Sequence, residues 1–80
     1  MSLKKEIAEI VFEELKLENV THETFNGDMD LIEELGVDSM ELTTIAVKLQ
    51  DKYSVKIEEE DYANITTLNK IISYIDQKVN

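Results

Sequence analysis

Apolar residues return every three or four positions through three separate stretches of this chain, and no proline interrupts any of them. That period fits α-helices and conflicts with the two-residue alternation of a half-buried strand. In the first stretch Leu3, Ile7, Ile10, Val11 and Leu15 form one stripe, and Glu6, Glu9, Glu13 and Glu14 are left mostly to solvent. The spacing predicts a helix over about 3–17. In the second stretch Leu42, Ile45, Ala46, Leu49 and Tyr53 make an inward stripe behind Gly36-Val37-Asp38. In the third, Thr66 stands as an N-cap before an apolar face of Leu68, Ile71, Ile72, Ile75 and Val79.

Between the first two stretches, Asn19 to Glu34 keeps no period and contains the turn signal Asn26-Gly27-Asp28. It reads as a long surface loop anchored on the core by Asp30-Leu31-Ile32. After Val55 and Ile57, the acids Glu58, Glu59, Glu60 and Asp61 suit the positive end of a short helix at about 59–64. As a run of charge they are expected to form a solvated helix start. The expected fold is all-α: a single domain over residues 1–80, a small four-helix bundle of three main helices and one short one. With 80 residues, of which 42% are apolar, a core forms but with a thin margin, so caps and packing matter.

Charge narrows the function classes. The chain has 18 acids against 8 basic residues, all lysine, for a net charge of -10. Nucleic acid and anionic membrane surfaces are therefore not expected partners, and basic protein patches are. No stretch reaches the roughly 18 apolar residues of a membrane span, and Met1-Ser2-Leu3-Lys4-Lys5 runs into glutamates instead of a signal-peptide core, which predicts a soluble, cytoplasmic protein. The absence of cysteine removes disulfides, thiolate metal sites and any thiol nucleophile of the chain's own. His22 has no second histidine to share a metal and is expected to be a loop residue; Asp28 and Asp30 begin like a calcium loop, but Ile32 and Glu33 fill positions that a ligand and a glycine require. No metal site is expected. Nor does the sequence assemble a serine triad, a glycine-rich phosphate loop or a distinguishable pair of catalytic carboxylates, so no enzyme activity is expected.

The informative stretch is Leu35-Gly36-Val37-Asp38-Ser39-Met40-Glu41-Leu42. Asp38 is a good N-cap, and Glu41 three residues on completes a capping-box pair, which puts Ser39 at the first helical position with its hydroxyl exposed at the tip. At about 100° per residue, Met40 and Val47 fall on the outward face, where two apolar side chains ask for a partner. The partial positive charge of the helix N-terminus would stabilise a phosphate ester on Ser39.

Asp38-Ser39-Met40, between Leu35-Gly36-Val37 and Glu41-Leu42, resembles the Asp-Ser-Leu attachment motif of acyl carrier proteins. The resemblance continues through Leu49, Tyr53-Ser54-Val55-Lys56-Ile57, the acidic run and Ile65-Thr66-Thr67-Leu68, covering about Asp28 to Ile75. It implies that Ser39 receives 4'-phosphopantetheine from coenzyme A through a phosphopantetheinyl transferase, and that acyl groups ride as thioesters on the arm. Asp38 becomes the acidic neighbour that partner enzymes expect, with Met40, Glu41 and Val47 as docking positions. Leu42, Ile45, Ala46, Leu49, Ile57, Ile65, Leu68 and Ile71 would line an acyl pocket. Partners implied are the transferase and acyl-transferring, condensing or ligating enzymes with basic docking patches, met by a monomeric carrier.

Departures from the family pattern concern the second helix. Thr44, Lys48, Gln50 and Lys52 stand where family members usually have acids or small residues, while residues 1–40 hold 11 acids and 3 lysines. This favours a specialised pathway, such as polyketide biosynthesis, over housekeeping fatty-acid work. Met40 after the serine also occurs in aminoacyl and D-alanyl carriers, which remain an alternative cargo class. A reading of a different class is an unmodified acidic helical adaptor, whose binding would survive Ser39→Ala.

Overall fold

In the computed structural model, which describes residues 2–79, the Ser2 hydroxyl accepts the Lys5 N–H at 3.1 Å and α1 follows over Leu3–Glu14. Met1 and Asn80 of the expected 1–80 domain lie outside the described residues. The helix stops short of its expected end near 17 because Lys16 turns left-handed, with φ 56°. Lys16 N–H then donates to Glu13 O at 3.2 Å and Leu17 N–H to Phe12 O at 2.9 Å, a Schellman closure made without glycine. The buried face also differs from the expected stripe. Ile7 and Val11 are fully buried, Ala8 and Phe12 join them, and Leu3, Ile10 and Leu15 are only partly covered. Phe12 belongs there because its ring packs on Phe25 of the following loop, centroids 5.1 Å apart.

No helix forms between Leu15 and Asp38, yet the segment is held by specific bonds. The Asp30 carboxylate accepts the N–H groups of Ile32 and Glu33, both at 2.9 Å, which makes a tight turn. Leu31 is the anchor expected of this turn and is fully buried, whereas Ile32, expected beside it, is turned out and 42% exposed. Leu31 N–H donates to Thr66 O at 2.9 Å, and Val37 N–H donates to Leu31 O at 3.0 Å.

The second helix, α2, spans Ser39–Tyr53 and buries Leu42, Ile45, Ala46 and Leu49, with Tyr53 partly covered. Ser54 closes it in a left-handed conformation. The chain then runs back along α2, where Gln50 Oε1 accepts the Ile57 N–H at 2.8 Å. A 3-10 helix over Glu59–Ile65 fills the place of the expected short helix.

The last helix, α3, covers Leu68–Val79, and its cap is Thr67 in place of the expected Thr66: the Thr67 hydroxyl accepts Lys70 N–H at 3.1 Å. Thr66 closes the 3-10 helix and gives its carbonyl to Leu31. A second cap comes from the loop. Asn69 N–H donates to Gly27 O at 3.0 Å, and the Asn69 amide donates to Asp28 Oδ1 at 2.8 Å. A Cβ at position 27 would collide with that amide, so any other residue there would push the Asn69 side chain aside. Val79, expected on the apolar face, is 43% exposed at the helix end.

Helix α1 packs on both α2 and α3, and the 3-10 helix packs on α3. Ile7, Leu31, Ile45, Leu49, Ile65, Leu68, Ile71 and Ile75 meet at the centre, so every helix and the loop contribute to one core. Among the described residues there are four helices and no strand, and no polar or charged residue is buried in that core. The all-α bundle expected from the periodicity is the fold found.

Candidate functional site

The tip of α2 is set by the residues just before it. Gly36 has φ 70°, which favours glycine, and Val37 is buried beside it, so the chain enters the helix from a fixed point. Asp38 is extended, and its Oδ1 accepts the Glu41 N–H at 2.8 Å while Glu41 Oε1 accepts the Asp38 N–H at 3.4 Å. This is the capping box expected from the sequence. It makes Ser39 the first helical residue, exposed to solvent.

Among the described residues no hydrogen bond engages the Ser39 hydroxyl, and none joins it to a base; only its backbone carbonyl is engaged, by the Thr43 hydroxyl at 2.8 Å. An exposed hydroxyl without an activating base cannot act as a nucleophile by itself. It can accept a group delivered by another protein. A phosphodiester fits there: the first-turn N–H groups of a helix point outward without intrahelical acceptors, and the partial positive charge opposes the nearby Asp38 and Glu41 carboxylates.

Beside the tip, Met40 is 78% exposed and Val47 46% exposed, both on the outward face as the helical count predicts. The flank of α2 that faces α1 is polar and tied down. Lys48 Nζ lies 2.8 Å from Glu14 Oε1, and that hydrogen bond pushes the Lys48 pKa up. Glu6 Oε1 accepts the Tyr53 hydroxyl at 3.1 Å and lies 3.9 Å from Lys52 Nζ. Partial burial, reinforced by Glu6, pushes the Tyr53 phenol up to about 12. The sequence reading passed over these α1 glutamates because an acidic helix face alone does not reveal its partners.

The eight expected pocket residues, Leu42, Ile45, Ala46, Leu49, Ile57, Ile65, Leu68 and Ile71, are all buried in the common core. Two surface clefts lie elsewhere. One of about 680 Å³ runs along α3 past Asp28, Asn69, Lys70 and Tyr74. The other, about 330 Å³, lies between α1 and the loop and contains Phe12, Val20 and His22. His22 is a loop residue, with Nε2 3.8 Å from Glu23 Oε1. Among the described residues no group of three or more His, Asp or Glu is placed to hold a metal ion.

A small helical bundle that offers an unactivated hydroxyl on an open helix tip has the make-up of a carrier domain, loaded by one protein and read by others. Known proteins agree with that class. The family described as phosphopantetheine attachment site matches residues 5–75. Over 80 residues, all of both chains, this chain is 31% identical to an acyl carrier protein of Chlamydia trachomatis serovar D. It is 29% identical over 76 residues to an acyl carrier protein of Wolinella succinogenes, covering 95% of this chain and 96% of that one. It is also 34% identical over 71 residues to the meromycolate extension acyl carrier protein of Mycobacterium leprae, covering 89% of this chain and 59% of that one.

The chain belongs to the acyl carrier protein family. It is a carrier and not an enzyme, and its cofactor is 4'-phosphopantetheine. When bound, that group supplies a terminal thiol on which acyl groups are held as thioesters, which the chain, lacking cysteine, cannot supply itself. Carriers of this family work with a phosphopantetheinyl transferase and with acyl-handling enzymes. Among the described residues no helix is long and apolar enough to cross a membrane.

Proposed function

We propose that Ser39 bears the phosphopantetheine arm and that the chain, as a monomeric single domain, moves acyl intermediates between enzymes of fatty-acid, polyketide or related specialised biosynthesis. The observation that carries this reading is the free Ser39 hydroxyl at the first position of a helix capped by its own Asp38 and Glu41. Because the cap is built from adjacent residues, the serine stands clear and a transferase can reach it.

Asp38 acts by holding the helix tip, and Met40, Glu41 and Val47 are the residues that partners contact. Leu42, Ile45, Ala46, Leu49, Ile57, Ile65, Leu68 and Ile71 are the side chains that part to admit an acyl chain. Partners carry basic surfaces, drawn in by the net charge of -10. The setting is cytoplasmic, where coenzyme A supplies the arm.

The test is intact-protein mass spectrometry of wild type and Ser39→Ala after incubation with coenzyme A, magnesium and a broad-specificity phosphopantetheinyl transferase. One phosphopantetheine should add to wild type and none to Ser39→Ala. Addition to neither, with both proteins folded, or addition to both, would remove Ser39 as the attachment site.

A further inference from the structure

The loop braced on α3 carries the pair Asn26-Gly27, and Asn26 is exposed. Asn26 Oδ1 accepts the Asp28 N–H at 3.0 Å, and Asn26 O accepts the Met29 N–H at 3.1 Å. The first of these bonds closes a ring of atoms that includes Gly27 N, so the Asn26 side chain is folded back toward that nitrogen. The same bond draws electron density from Cγ and would steady the negative charge that develops on Oδ1 under attack. Among the described residues no hydrogen bond engages the Gly27 N–H, and no Cβ shields it. A polarised amide carbon is thus held next to an unbonded, unhindered backbone nitrogen, an arrangement that favours reaction within the chain. Asn19, Asn64 and Asn69 lack it, because Val20, Ile65 and Lys70 follow them and carry side chains.

We propose that Asn26 is a site of self-deamidation whose isoaspartyl product unfastens the loop from α3. Gly27 N gives its proton to hydroxide, and its electron pair attacks Asn26 Cγ. The new N–C bond forms as the Cγ–Nδ2 bond breaks, and Nδ2 takes a proton from water and leaves as ammonia. Water then opens the resulting succinimide ring at either carbonyl. Addition at Cγ gives aspartate, and addition at the backbone carbonyl carbon gives isoaspartate, whose main chain runs through Cβ and Cγ. Nothing is oxidised or reduced.

The isoaspartyl chain is longer by a carbon just before Gly27. Gly27 O and Asp28 Oδ1 hold Asn69 at 3.0 and 2.8 Å, and the Asn69 side chain fills the space beside Gly27. A lengthened chain cannot keep both bonds in that space. The α2 tip, capped by Asp38 and Glu41, shares none of these contacts and stays as it was.

The test ages the wild-type chain at neutral and mildly alkaline pH, both folded and in guanidinium chloride, and follows amide-to-acid conversion by peptide mass spectrometry. An isoaspartate-specific methyltransferase with labelled S-adenosylmethionine is the probe for the branched product. Conversion should map to Asn26, quicken with pH, yield isoaspartate, and run no more than about tenfold slower in the folded chain than in the denatured one. A folded chain slower than that, earlier conversion at another asparagine, or no methyl transfer would overturn the site. In the isoaspartyl form, separated by ion exchange, the Asn69 amide should exchange its hydrogen about tenfold faster than in wild type, with the Glu41 amide unchanged. Freshly prepared Asn26→Asp, which adds the charge without the extra carbon, should keep Asn69 exchange within about threefold of wild type. Unchanged Asn69 exchange in the isoaspartyl form, equal quickening at Glu41, or an Asn26→Asp variant that matches the isoaspartyl form would overturn the unfastening.

Discussion

The starts of α2 and α3 satisfy the same need in opposite ways. Both leave first-turn N–H groups without intrahelical acceptors. At α2 the remedy is local, since Asp38 and Glu41 cap the helix from within the stretch they begin. At α3 it is partly remote: Thr67 caps Lys70, but the Asn69 N–H is met by Gly27 of the loop, and Leu31 of the same loop binds the Thr66 carbonyl. The difference is one of dependence on the rest of the chain. The α2 tip needs only the residues that begin the helix, whereas the α3 tip needs the loop to be in place.

The largest effect should come from cutting the remote cap at its anchor. Leu31→Ala removes a fully buried side chain and should cost about 2–5 kcal/mol in chemical denaturation. A loss below about 1 kcal/mol would mean that the loop is not held by the core. Gly27→Ala attacks the same contact more gently, because the Asn69 amide must swing away from the new methyl and give up its bond to Asp28. It should cost about 1–2 kcal/mol while leaving the rate of phosphopantetheine loading unchanged. Asp38→Ala should cost about 1 kcal/mol or less, yet slow loading, since it frays the tip that presents Ser39. If Gly27→Ala slowed loading as much as Asp38→Ala, the two helix starts would not be independent.

The smallest effect lies at the far end of α2, where Tyr53 binds Glu6. The phenol's pKa is raised from 10.0 to about 12 in the folded chain, so the protonated form is favoured by folding. Its contribution is whole below pH 10.0 and is lost as pH rises toward about 12. Thermal melts across that window should fall less steeply for Tyr53→Phe than for wild type; equal slopes would show that the phenol does not report on folding.

What the sequence made legible were features written in adjacent residues. The three main helices follow from apolar spacing, and the α2 capping box follows from Asp38 and Glu41 standing three apart. Helix ends closed by left-handed residues other than glycine were not legible: Lys16 and Ser54, with φ 56° and 55°, carry no turn signal in their side chains. Nor could two adjacent threonines be ranked: Thr67 caps α3, while Thr66 ends the preceding 3-10 helix, whose last residue no side-chain signal marks. Phe12 was missed because its partner, Phe25, comes from a loop with no period. At the site, the position and exposure of Ser39, Met40 and Val47 could be read from a helical wheel. The pairing of Lys48 with Glu14 and of Gln50 with Ile57 could not, since each depends on how separate segments pack.

Because Asn69 and Asp28 are 41 residues apart, the first turn of α3 waits on closing a long loop, while the tip of α2 can form as soon as its own residues are in place. The Asn69 amide should therefore exchange its hydrogen in step with the amide of Leu31, as one cooperative unit that opens before the rest of the core. In refolding, the helix that presents Ser39 should be assembled early, and the strap across α3 should be the last part to fasten.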